Sequence, residues 1–137
     1  MAAIGAYIAA QILNVTLKQT GSMVSPATLG LAIGLGVPTS VSLSEIGTNS
    51  GYTPQSLTMS SVAANGTIAS NAAALTFGPF SSIQSLSGWA IKDTLSASAA
   101  NGNLGDIYYW GSLATARTVS VGDQLVIAAA ALTISIS

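Results

Sequence analysis

The chain of 137 residues holds three cations, four anions, no cysteine and no histidine, and only 5% of it is charged, against about 25% in an ordinary soluble domain. That length suits one domain with a genuine core and is too short for two. Three cations cannot line a phosphate-tracking groove, which excludes nucleic acid as a partner, and the lack of cysteine excludes a disulfide framework or thiolate metal site.

Near the N-terminus Ile4, Ile8, Ile12 and Val15 recur at helical spacing, with Tyr7 and Leu13 widening the stripe and Gln11, Asn14 and Lys18 largely off it. Lys18 suits the negative end of a helix dipole and Gly21 is a natural stop, so residues 2–19 are expected to form one amphipathic helix. The segment has no basic start, and Gln11 and Asn14 interrupt its apolar run. It is expected neither to be a cleaved leader nor to cross a membrane.

From Ser25 the period changes to two. Leu29, Leu31, Ile33 and Leu35 alternate with Gly30, Ala32 and Gly34. This is a strand whose second face carries no bulk and admits another backbone or a helix closely, and Pro38 ends it. "SEIGTNSG" reads as a loop and "YTPQSLTMSSV" as a strand in which Leu57 and Met59 share a face, Pro54 marking an edge or a bulge. Asn65-Gly66 is the strongest hairpin signal in the chain. Strands at "AALTFGPF" and "SGWAIKD" follow, Trp89 and Ile91 alternating with Ala90 and Lys92, then a small-residue loop at "SASAANGNLGD".

In "IYYWGSL" both parities are apolar: Ile107, Tyr109 and Leu113 on one face, Tyr108 and Trp110 on the other. Such a strand needs cover on both sides, from the protein's own helix or from another subunit. Residues 121–137 hold no charge after Asp123, no proline and many β-branched side chains, the composition of a strand that pairs or aggregates when left exposed. Leu125 and Ile127 have odd parity while Leu132, Ile134 and Ile136 are even, so residues 128–131 are expected to hold a bulge or a bend from one sheet to another. The pattern as a whole predicts a mainly β fold. It reads as an antiparallel β-sandwich of Ig-like or jelly-roll-like kind, a single domain over residues 21–137 preceded by an N-terminal amphipathic helix or arm over residues 1–20.

The inventory for chemistry is poor. Without histidine or cysteine the commonest base, metal ligand and nucleophile are gone, and a Ser–His–Asp arrangement is impossible. A Ser–Lys pair would need a desolvated lysine, but Lys92 stands beside Asp93, which would hold it protonated. Asp106 and Asp123 follow Gly105 and Gly122, as turn residues do, and nothing in the spacing of Glu45, Asp93, Asp106 and Asp123 brings a catalytic pair together. "NGNLGD" lacks the register of a calcium loop and reads as a turn. The sequons at Asn14 and Asn65 are what chance supplies in a chain rich in Asn and Thr. No enzyme, no cofactor and no metal are therefore expected. What remains is surface: Ile4, Tyr7, Ile8, Ile12, Tyr108 and Trp110 have the character of interface anchors and equally of core.

The order of these pieces resembles a family of small tailed-bacteriophage virion proteins, labelled as tail fibre or minor tail proteins, some of whose relatives are capsid decoration or cement proteins. The resemblance covers residues 25–137. It rests on "PATLGLAIGLGVP", "SEIGTNSGYTPQSL", "SNAAALTFGPF", "GWAIKDT", the "YWGSL" strand and "TVSVGDQLVIAAAALTISIS". The family usually carries a basic residue after the Gly-Tyr, where this chain has Thr53 and Pro54. The resemblance implies a virion structural protein. The first expectation is a decoration or cement protein that binds the major capsid protein and copies of itself, a trimer being favoured, on the capsid surface. The alternative is a tail-tip or tail-fibre component whose loops, such as residues 101–106, meet a host receptor or glycan.

Overall fold

The computed structural model describes residues 3–19, 21–23, 25–62, 66–97 and 105–135. It is mainly β with antiparallel sheets and one helix near the N-terminus, as expected. The elements in chain order are β1 (Ala3–Ile4), α1 (Ala6–Thr16), β2 (Gly30–Gly34), β3 (Gln55–Ser56), β4 (Ile68–Ser70), β5 (Leu75–Phe77), β6 (Gln84–Lys92), β7 (Ile107–Val119), β8 (Leu125–Ile127) and β9 (Thr133–Ser135). A five-stranded sheet of order β1-β7-β6-β2-β3 is accompanied by two ribbons, β4-β9 and β5-β8. Leu31, Ile33, Trp89, Ile91 and Tyr108 of the large sheet share one core with Ile8 of α1, Leu75 and Phe77 of β5 and Ile134 of β9. The arrangement is sandwich-like, with the helix and the ribbons against one face.

The helix is shorter than its apolar stripe predicts, and Ile4 lies outside it. Ala3 and Ile4 pair instead with Trp110 and Tyr109 as an added strand on β7. Gly5 then turns the chain: its N–H donates to the Tyr108 carbonyl at 2.7 Å, and a Cβ there would overlap the Ile107 carbonyl. Bound to the sheet at its start, α1 lays Tyr7, Ile8 and Ile12 on the core, and the Tyr7 and Tyr108 rings meet at 5.4 Å and 55°. The protein's own helix therefore supplies one of the two covers that the "IYYWGSL" strand requires. The faces differ from the simple alternation: a register shift at Tyr108 puts Tyr108, Tyr109 and Leu113 on the helix side and Ile107 with Trp110 on the other.

The other face is closed by loops. Gly30, Ala32 and Gly34 on β2 and Gly88 and Ala90 on β6 carry almost no side-chain volume, and all are buried. A Cβ on Gly34 would overlap Leu43, and one on Gly88 would meet the Gly36 carbonyl and the Pro38 ring at 2.5 Å. The bare face read from the sequence thus lets residues 36–43 lie flat on the sheet, where Leu43 packs with Ala32, Ala90, Ile107 and Trp110.

The parity change near the C-terminus is a bend between ribbons. β8 pairs with β5, β9 pairs with β4, and between them Ala130 takes a left-handed φ of 61°. Asn71, 1% exposed, stitches that bend: its Nδ2 donates to the Ala128 and Ala73 carbonyls, both at 2.8 Å, and its Oδ1 accepts the Leu132 N–H at 2.8 Å. Elsewhere the expected "YTPQSLTMSSV" strand shrinks to Gln55–Ser56, at the sheet's edge as Pro54 foretold, with Met59 making an isolated bridge to Asn71. β7 runs beyond "IYYWGSL", and between the Gly88–Ser112 and Leu86–Arg117 pairs its residues 113–116 bulge opposite Ser87. The Asn65 half of the hairpin signal and residues 101–104 of the "NGNLGD" turn lie outside the described residues. Among the described residues no helix is long and apolar enough to cross a membrane.

Candidate functional site

Two features stand out from the packing: an apolar groove and a buried polar network. The groove, about 700 Å³, opens between α1 and the β4-β9 ribbon. Ile8 and Ile12 of the helix, Tyr108 and Tyr109 of β7 and Ile134 of β9 form its floor and wall, and Met23, Leu29, Met59 and Val62 complete it. Among the described residues no charged side chain lines it; Ser25 and Thr67 add hydroxyls to a lining that is otherwise largely apolar, so it offers chiefly apolar contact.

The six side chains expected as interface anchors mostly meet one another here. Ile8 and Tyr108 are buried, Tyr7 and Ile12 are half-buried against them, and together they join helix to sheet. Trp110 is half-buried on the second cluster, with an indole N–H that has no partner among the described residues. Of the six, Ile4 alone is exposed, at 38%. The aliphatic groups most open to solvent are others, among them Leu17 of the helix region, Val37 and Val41 in the covering loop, and Val121 and Val126 near β8. Burial, then the neighbouring Tyr7 and Asp93, push the Tyr108 phenol up to about 12.

The polar network was not legible in the chain. Lys92, expected beside Asp93, is instead fully buried in an ion pair with the equally buried Glu45. Its Nζ also donates to the Ser96 carbonyl at 2.7 Å. The Tyr52 hydroxyl donates to Glu45 Oε1 at 3.0 Å and accepts the Ile33 N–H at 2.9 Å. Asp93 turns away to accept the Asp106 N–H at 2.9 Å. The geometry has a backbone cause. The outer edge of β2 pairs with β3 at Leu31 and with the 44–46 segment at Ile33 and Leu35, and the phenol fills the gap left at the Ile33 N–H. Burial pushes the Glu45 carboxyl up, against the pull of Lys92 and Tyr52, and burial with the Glu45 charge pushes the Tyr52 phenol up as well. Neither the groove nor the network brings three metal-ligating side chains together among the described residues.

A family model described as podophage GP4 fiber I protein gp80 matches residues 3–135, from the first residue of β1 to the last of β9. The chain belongs to that family. No curated protein matches it. As a member of the gp80 fibre family the chain is a phage virion structural protein, which agrees with the resemblance drawn from its motifs. The gp80 match includes both faces of the sheet, the groove and the Lys92–Glu45–Tyr52 network in one continuous stretch.

Proposed function

We propose that this protein is a non-enzymatic structural subunit of a podophage fibre, held in the virion by contacts with copies of itself and with neighbouring virion proteins. The observation that carries this reading is the fibre-family match over residues 3–135. Two properties support it. Exposed Val37, Val41, Val121 and Val126 lie on a surface with very few charges, which suits burial against other subunits. An apolar groove beside α1 offers a second contact. At about 25 cal/mol per Å² of apolar surface, a standard interface of roughly 1,600 Å² attracts strongly before ordering costs. Repetition around a symmetric assembly, for which we favour a trimer, multiplies a modest contact into a durable one.

A capsid cement role is the second reading, favoured by the same weakly charged, aliphatic surface. Gold-labelled antibody against the chain on purified virions separates the two. Label on fibres at the tail end supports the fibre subunit, label over the whole shell supports cement, and absence of the chain from washed particles overturns both. If the fibre reading holds, a host glycan is a candidate ligand for its loops, and binding of the isolated protein to a glycan array tests that.

A further inference from the structure

Lys92 and Glu45 are set up for more than an ion pair. Both side chains are fully buried, and Lys92 Nζ lies in direct contact with Glu45 Oε2. A protonated amine has three N–H donors. Glu45 and the Ser96 carbonyl accept two of them, and no acceptor for the third is found among the described residues. A buried pair of full charges is costly to keep, because desolvation offsets the attraction. An amide joining the two side chains has one N–H and one C=O. The Ser96 carbonyl is already placed to accept the former and the Tyr52 hydroxyl to donate to the latter.

We propose that Lys92 and Glu45 condense into an intramolecular amide that ties the loop after β2 to strand β6. The step needs no oxidant, cofactor or second substrate. A proton passes from Nζ to Oε2 along their hydrogen bond, which converts two buried charges into an amine and a carboxylic acid. The free electron pair of Nζ attacks the Glu45 carboxyl carbon Cδ, and negative charge develops on Oε1. The Tyr52 hydroxyl, itself accepting the Ile33 N–H, donates to that oxygen and stabilises the charge. A second Nζ proton moves to Oε2, the Cδ–Oε2 bond breaks and water leaves. The product is a secondary amide whose N–H faces Ser96 and whose C=O faces Tyr52. The cross-link closes a loop from residue 45 to residue 92, doing in a chain without cysteine what a disulfide does elsewhere. This inference does not depend on the location of the chain in the virion.

The test is the intact mass of the purified full-length chain, read in denaturant. The expected mass is that of the sequence less one water, and the full sequence mass overturns the proposal. Trypsin locates the bond, because an acylated Lys92 is no longer cleaved. Residues 19–117 should then emerge as one peptide lighter by one water, and cleavage after Lys92 overturns the assignment. Lys92→Arg and Glu45→Ala should each restore the full mass, folded or not, and a water loss that persists in either variant overturns it too. In a time course from fresh synthesis, Tyr52→Phe should slow the water loss by about 100-fold, the scale of losing one oxyanion donor. An unchanged rate would remove the phenol from the mechanism.

Discussion

Replacing Asn71 with alanine tests whether one side chain holds the two ribbons in their relative places. Asn71 is 1% exposed, and its amide makes three hydrogen bonds to main-chain groups: the Ala73 and Ala128 carbonyls and the Leu132 N–H. Two of these partners flank the bend at Ala130, where β8 hands over to β9. Each such bond contributes about 1 kcal/mol net, and a partner left buried without a mate adds to the loss. Asn71→Ala should therefore cost about 3–4 kcal/mol, a large share of a domain's typical 5–15 kcal/mol. Urea unfolding followed by tryptophan fluorescence measures it, with an unchanged m-value expected if the native state keeps its compactness. Asn71→Asp sharpens the test. It keeps the acceptor for Leu132 but turns an oxygen toward both the Ala73 and the Ala128 carbonyls, so it should be at least as damaging as alanine. A loss below about 1 kcal/mol for both variants would refute the idea that this side chain organises the bend.

Three further outcomes are expected. Ala130→Gly relieves a left-handed φ of 61° and should raise stability by about 0.5–1 kcal/mol in the same urea assay. Stability should fall above pH 10. Tyr108 is pushed up to about 12 and Tyr52 is also raised from the ordinary 10.0, so the unfolded chain loses phenol protons that the folded chain retains. That contribution is fully present below 10.0 and disappears as pH rises through the folded values, and Tyr52→Phe should make the decline shallower in urea midpoints taken across that range. Met23→Lys and Val62→Lys, each 48% exposed on the groove, should change stability by no more than about 0.5 kcal/mol. If the groove is an assembly contact, they should lower incorporation into virions by about tenfold, the effect of 1.4 kcal/mol, as read by quantitative immunoblot of purified particles.

The local order of this fold was legible in the residues because each signal is local. Alternation at Leu29–Leu35 follows from the pleat of a single strand, Pro54 limits the strand that follows it to an edge, and the parity change around residues 128–131 requires the chain to turn over. The resemblance of motifs such as "PATLGLAIGLGVP" and "YWGSL" to a phage virion family implied a virion protein, and the gp80 match agrees. Tertiary contact decided the remainder. Ile4 has the helical spacing of its neighbours, yet β7 presents an open edge at Tyr109 and Trp110 that takes Ala3 and Ile4 as a strand, and helical spacing carries no information about that edge. Tyr7, Ile8, Ile12 and Tyr108 looked alike as core or interface, and what places them is the fold-back of α1 from Gly5 onto its own sheet. Lys92 alternates as a solvent-facing residue would, and the partner that lets it be buried, Glu45, lies on a distant loop brought against β2 by backbone pairing. Spacing along a chain reports which side chains share a face; whether that face meets water, a helix or an oppositely charged group depends on segments far away in sequence.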